Sequence, residues 1–217
     1  MGTRFIFLGP PGAGKGTQAV VVSQQLAIPA IATGGIFREA IAKETSMGKQ
    51  IAQFVNAGLL VPDQLTNAIV VERLKQKDCK KGFILDGYPR SLGQSKSLDV
   101  YLQKSHRPLD RVLYFKVDAA VVIDRMAKRR ICSHCGQTYN LFSQPPQTDG
   151  KCDKCAAPLV MRTDDHPKSI RKRLAVYEET TSRLLEQYEK KGTLRVVNAS
   201  LSVEEVTRQV AAVCSEI

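Results

Sequence analysis

The stretch GPPGAGKGTQ, residues 9–18, restricts the fold of this chain more than any other. It follows a short apolar run, RFIFLG at 4–9, and leads into a helical pattern over 15–27. Glycines let the backbone turn tightly enough for successive N–H groups to point inward. With the first turn of the following helix they form a cradle for phosphate oxygens. Gly12, Ala13, Gly14, Lys15, Gly16 and Thr17 make up that cradle, and Lys15 supplies a mobile positive charge for the β- and γ-phosphates. Gly16 stands where the general pattern GxxxxGK[ST] has its hydroxyl, which here comes one residue later at Thr17. Magnesium is therefore expected to be held through phosphate oxygens and water rather than by that hydroxyl.

Further β-rich apolar runs lie at 82–86 (GFILD), 111–117 (RVLYFKV) and 194–197 (LRVV), with a weaker one at 28–32 (IPAIA). Helical patterns separate them, over 35–42, 47–57, 63–77, 91–104, 119–129, 168–191 and 203–215. Continuous apolar runs between helices indicate strands buried on both faces of a parallel sheet, and so a layered α/β fold. Residues 131–165 break the rhythm, being rich in Cys, Gly, Pro and polar residues, and read as a small insertion between two core helices.

That insertion carries Cys132, Cys135, Cys152 and Cys155, two C-x2-C pairs separated by sixteen residues. Each pair forms a knuckle, and four thiolates close a tetrahedral shell with no open position, as in a structural zinc site. An iron–sulfur cluster and free thiols are the alternatives. A segment this short cannot bury enough surface to fold alone, so bound metal would supply the missing free energy. His134, between the first two cysteines, is expected to be exposed rather than a ligand. Cys79 and Cys214 stand alone, a usage that suits a reducing compartment. No apolar run approaches the roughly 18–20 residues of a membrane span, and a cytoplasmic location is expected.

Lys and Arg number 32 against 21 Asp and Glu, a net charge of +11, which favours polyanionic partners without choosing among them. Nucleic acid is the rival to nucleotide phosphates. Between residues 125 and 173 there are eleven basic residues against four acidic ones, but this region lacks the aromatic–basic interleaving of a single-strand binder.

Several motifs together resemble the adenylate kinases, a family of P-loop nucleoside monophosphate kinases. They are GKGT, TGGIFR at 33–38, GFILDGYPRSLGQ at 82–94, DRMAKRR at 124–130 and RTDD at 162–165. The match runs in order along essentially the whole chain, and the cysteine-bearing insertion is similar to the zinc lid of the family's long form. The resemblance implies a P-loop core of residues 1–31, 62–127 and 166–217, an AMP-binding helical insertion at 32–61 and a zinc-binding lid at 128–165. It also implies a monomer, and a reversible, magnesium-dependent reaction of ATP with AMP giving two ADP.

Carried over position by position, the resemblance assigns the remaining site residues. On the AMP side it implies Thr33, Arg38, Leu59, Leu60, Val61, Gly87, Tyr88, Pro89, Arg90, Gln94, Arg162 and Arg173. On the ATP side it implies Arg125, Arg129, Thr138 and Tyr139, with Arg125 and Arg129 expected four apart on one helix face. Arg162 and Arg173 are implied to close over the transferring phosphate, and Asp86, ending an apolar strand, to orient magnesium-bound water. Lys15, Arg90, Arg129, Arg162, Arg173 and Asp86 are thus the expected catalytic set. Asp164 and Asp165 are expected either to pair with Arg129 or Arg162 or to form a solvated helix start. Two departures stand out: Gly35 replaces the family's usual Asp after Thr-Gly, and NASLS at 198–202 replaces a Gly and a Lys that commonly flank the ATP adenine. A sister kinase for UMP or CMP would share most phosphate contacts, though those relatives generally have Ala in place of Thr33.

Overall fold

A computed structural model describes residues 3–216. Five parallel strands form the central sheet in the order β2-β3-β1-β4-β8, namely β2 Ala30–Ala32, β3 Gly82–Asp86, β1 Thr3–Leu8, β4 Arg111–Lys116 and β8 Leu194–Asn198. The apolar runs alternate between two faces, which is why they lack a polar side. Phe5, Phe7, Ile84, Leu113 and Phe115 pack with Ala19 and Val22 of α1 (Lys15–Leu26) and with Val206 and Val210 of α9 (Val203–Cys214). Ile6, Leu8, Phe83, Leu85 and Val112 face the other way. There they meet Val70 and Leu74 of α4 (Asp63–Leu74), Leu98 and Leu102 of α5 (Leu92–Lys104), and Leu184 and Tyr188 of α8 (Arg183–Lys190). Burial on both faces is the condition under which a parallel sheet is stable.

Chain connections leave β1 toward β2 on one side and β4 toward β8 on the other, so the sheet reverses its winding beside β1. Loops at the carboxyl ends of the strands open a crevice at such a reversal, where ligands of α/β sheets bind. The phosphate loop and Asp86 both sit on that edge.

Two segments carry apolar clusters of their own. Helices α2 (Thr33–Ala42) and α3 (Ser46–Asn56) enclose Phe37, Ile51 and Val61, and Leu65 and Ile69 of α4 join them. The two helices touch at Gly48, where a Cβ would run into the Ala40 carbonyl. Thr45 starts α3 by accepting the Gly48 N–H on its hydroxyl at 2.9 Å. Strands β5 (Arg129–Cys132), β6 (Thr138–Asn140) and β7 (Leu159–Val160) form an antiparallel sheet in the order β6-β5-β7, with Cys132, Tyr139, Cys152 and Leu159 inside.

Three elements differ from the sequence expectation. Helix α6 (Ala119–Ala127) stops short, and Arg129 opens β5 instead of continuing the helix. The expected helix over 168–191 is α7 (Pro167–Val176) and α8 joined through a π-helical segment, Tyr177–Thr181. Helix α4 stops at Leu74 and is followed by a 3-10 turn, Lys77–Lys80. Among the described residues, no helix is long and apolar enough to cross a membrane.

Candidate functional site

The loop between β1 and α1 has the backbone that its glycines foretell. Gly9, Gly12 and Gly14 all have positive φ (143°, 81° and 87°), a region costly for residues with a Cβ. Close approach adds to the demand at Gly9, where a Cβ would stand 2.7 Å from the Phe115 carbonyl oxygen. Lys15 lies at the start of α1, and its Nζ donates to the carbonyls of Gly9 and Pro10, both at 2.8 Å. Its pKa is pushed down to about 8 by loss of solvent, with Asp86 opposing the shift and Arg90, Arg173 and Arg129 adding to it. An anion in the cradle would reverse that shift. Asp86 Oδ2 lies 3.4 Å from where a side chain at Gly16 would begin, so the carboxylate stands beside the loop.

A cleft opens between α2, α3 and the ends of β3 and α7. Thr33, Arg38, Arg90, Gln94 and Arg173 line it, together with residues 59–61 and Gly87. Thr33 Oγ1 donates to the Gly87 carbonyl at 2.9 Å and Arg90 Nε to the same oxygen at 2.8 Å, which draws the two walls together. Gln94 Oε1 accepts the Arg90 N–H at 2.8 Å, and its Nε2 donates to Asp63 at 2.8 Å. The Tyr88 ring is fully buried in the core, and neither Tyr88 nor Pro89 lines the cleft.

The arginines expected from separate segments do converge. Loss of solvent lowers the pKa of Arg90 to about 10 and of Arg162 to about 9. Neighbouring cations contribute, Arg173 for Arg90, and Arg129 and Arg38 for Arg162. Arg38 and Arg173 are lowered as well, first by burial, with Asp164 opposing. Their counterions are two acids from the segment before α7. Arg129 grips Asp165 with two parallel bonds, 2.7 Å from Nε and 2.5 Å from Nη2. Arg173 Nη1 lies 2.9 Å from Asp164 and 3.2 Å from Asp165. Burial works against the Asp164 carboxylate, yet Arg173, Arg38, Arg162 and Arg129 together hold its pKa below the usual range. Of the two readings of these acids, pairing is the one observed, with Arg129 and Arg173 as partners. Both acids are buried, and Arg162 donates instead from Nη2 to Thr138 Oγ1 at 3.4 Å.

Arg125 and Arg129 do not share a face. Arg125 donates to the carbonyls of Ala199 (2.6 Å) and Leu201 (3.2 Å), tying α6 to the NASLS segment at 198–202. Ser202 in that segment caps α9 in a reciprocal box with Glu205. Tyr139 departs from its expected place as well. It is 6% exposed, with its ring in the lid core and its hydroxyl 3.3 Å from Cys152 Sγ. Strand alternation sends neighbouring Thr138 to the opposite, exposed face.

The four lid cysteines place their Sγ atoms within 4.8 Å of one another. Cys132 and Cys155 are 3.4 Å apart, Cys135 and Cys152 3.6 Å. Metal–sulfur bonds of about 2.3 Å give tetrahedral S–S edges of about 3.8 Å, so these residues fit a four-thiolate metal site. Backbone N–H groups of His134 and Cys135 both point at Cys132 Sγ, at 3.4 Å, which is the expected knuckle. His134 is exposed and outside the sulfur cluster.

Sequence reasoning did not single out Asp63. Placed after Pro62 in the first turn of α4, it reads as an ordinary helix-start acid. Its hydrogen bonds to α5 come from tertiary packing, for which no local pattern exists.

Residues 7–193 match the protein-family model described as Adenylate kinase. An adenylate kinase of Fervidobacterium nodosum is 52% identical over 203 residues, covering 94% of this chain and 93% of the relative. One from Thermosipho africanus is 49% identical, covering 94% and 96%. One from Archaeoglobus fulgidus is 45% identical over 212 residues, 98% of each chain.

Proposed function

This chain belongs to the adenylate kinase family and is a nucleoside monophosphate kinase, and from that premise we propose that it transfers the terminal phosphoryl group of ATP to AMP, giving two ADP, reversibly and with magnesium. The observation that carries the reading is the mutual closeness of Lys15, Arg38, Arg90, Arg129, Arg162 and Arg173, three of which line the cleft, with Asp86, Asp164 and Asp165 among them. Uncompensated cations held together out of solvent are costly. Two nucleotides' phosphates are the ligand that offsets such a cost.

In the proposed reaction, an oxygen of the AMP phosphate attacks the γ-phosphorus of ATP. The bond from that phosphorus to the β,γ-bridging oxygen breaks, and its electron pair leaves with the ADP product. The nucleophile is already an anion, so no side chain need remove a proton. Catalysis then consists of in-line positioning and charge stabilisation. Lys15 and the N–H groups of residues 12–17 hold the donor phosphates, while Arg38 and Arg90 hold the AMP phosphate. Arg129, Arg162 and Arg173 meet the charge that spreads over the transferring group. Magnesium, when bound with the donor, neutralises β- and γ-phosphate charge, and Asp86 beside the loop is the acid placed to orient its water shell.

The segments 32–61 and 128–165 are proposed as the units that close over AMP and ATP and exclude water. Gly58 supports this for the first, since it already packs on α7, with Arg173 Cγ 3.1 Å from its would-be Cβ. For the second, four thiolates with no open position support structural rather than catalytic zinc. The protein is further proposed to be a cytoplasmic monomer without a specific nucleic-acid or membrane partner. In support, Arg173 of the charged segment lines the cleft, and Arg129 and Arg173 are largely out of solvent, paired with Asp165 and Asp164, instead of standing in an exposed stripe.

The test is ADP formation from ATP and magnesium with AMP, UMP, CMP or GMP as acceptor, before and after zinc is chelated. Strong preference for AMP, kept after chelation at low temperature but lost earlier on heating, is expected. Preference for UMP or CMP would assign the sister activity. No turnover with any acceptor would sink the reading and favour nucleic acid.

A further inference from the structure

Behind the cleft, between α4 and α5, lies a closed set of hydrogen bonds that no step of phosphoryl transfer uses. Asp63 Oδ2 accepts from Ser91 Oγ at 2.6 Å, and Asp63 Oδ1 accepts from Gln94 Nε2 at 2.8 Å. Ser91 Oγ in turn accepts the Gln94 N–H at 3.1 Å as the cap of α5. The close approach depends on Gly93, where a Cβ would stand 2.7 Å from Asp63 Oδ2. Gln94 itself is 2% exposed, and its carbonyl end accepts the Arg90 N–H at 2.8 Å.

A glutamine amide has two ends of nearly the same shape, and its orientation is decided only by its neighbours. Here the neighbours differ in kind. A backbone N–H can only donate and a carboxylate can only accept, so the oxygen is held toward Arg90 and the amino group toward Asp63. The bond to Asp63 is the charge-assisted one, roughly twice as strong as its neutral counterpart. One lone pair and one N–H, side by side in fixed order, are left for a ligand. Adenine presents an amino donor next to a ring-nitrogen acceptor, which matches an amide in one orientation. A 6-oxo purine presents an acceptor next to a ring N–H and matches the flipped amide.

We infer that Asp63 is a positioning residue that sets acceptor-base selectivity by locking the Gln94 amide, without touching the nucleotide. The inference rests on the proposed reading of this cleft as the AMP site. Inosine monophosphate, which has a 6-oxo group where AMP has its amino group, is the probe. Initial rates with AMP and with IMP at fixed magnesium–ATP are compared for wild type, Asp63→Ala and Asp63→Asn, with melting temperatures alongside.

Asp63→Ala is expected to lower the AMP-over-IMP ratio of kcat/KM about tenfold, the scale of one bidentate base contact, mainly by raising KM for AMP. KM for ATP should move less than about twofold, since one hydrogen-bonding group remote from the donor is removed. Asp63→Asn, whose Oδ1 still accepts from Gln94, is expected to retain the ratio within about threefold. If Asp63→Ala does not fold, Ser91→Ala frees one carboxylate oxygen and should lower the ratio by about threefold. An unchanged AMP-over-IMP ratio, with only the melting temperature or both rates reduced, would overturn the lock while leaving the kinase reading intact. A wild type that does not favour AMP would overturn the acceptor assignment and the lock together.

Discussion

Gly35 leaves a space at the start of α2, where a Cβ would meet nothing nearer than the Ala32 Cβ at 3.8 Å. The φ there is ordinary, so an aspartate fits without strain. If Asp86 alone orients the metal's water shell, Gly35→Asp adds a second acid facing the same shell. Expected is a fall, about threefold or more on the scale of one charge-assisted contact, in the magnesium concentration that gives half-maximal rate. A superimposable magnesium titration would show that Asp86 needs no partner. Residues whose type is demanded by the backbone were legible in this way: Gly9, Gly12 and Gly14 adopt φ values that a Cβ would strain. Tyr139 was not, because the face a strand residue takes depends on which partners the strand finds.

The lid shows what an element can and cannot disclose. Its four-cysteine cluster was plain from spacing, because a knuckle needs two thiolates three positions apart in the chain. Its strands were not plain, being only two to four residues long and held by the knuckles rather than by an apolar period. Tyr139 belongs to that arrangement, since its hydroxyl contacts Cys152 Sγ at 3.3 Å and accepts the Asp153 N–H at 2.8 Å. Tyr139→Phe removes both contacts and is expected to weaken zinc about tenfold in competition with a chelator, the usual scale for groups behind a metal ligand. KM for ATP should stay within about twofold for the loss of a hydroxyl turned away from the donor. A raised KM for ATP with zinc retention unchanged would return Tyr139 to the nucleotide.

On the scale of the whole molecule, one acid joins the lid to the core. The Asp165 side chain is fully buried between Arg129 of β5 and Arg173 of α7, which are 16% and 15% exposed. Replacing it by Ala would strand Arg129 out of solvent, while Arg173 keeps Asp164 at 2.9 Å. Removing one partner of a buried pair typically costs about 3–5 kcal/mol. For a chain of this size that is a fall in melting temperature on the order of 10 °C. Thermal unfolding of Asp165→Ala measures it, and a fall below about 2 °C would mean that the arginines recover water or other partners.

Sequence alone determined the layered α/β core, the phosphate loop and the four-cysteine site. Each rests on short-range physics: the alternating burial of apolar runs, the conformational freedom of glycine, the reach of a knuckle. Tertiary structure alone decided which cations share a counterion, that Arg125 holds the segment after β8 while Arg129 opens the lid, and that Asp63 stands behind Gln94. Those outcomes depend on groups as far as 76 positions apart in sequence, as in the Arg125–Leu201 contact. Hydrogen bonds and ion pairs at such separations leave no local period, spacing or propensity, and become definite only when packing brings the groups within a few ångströms.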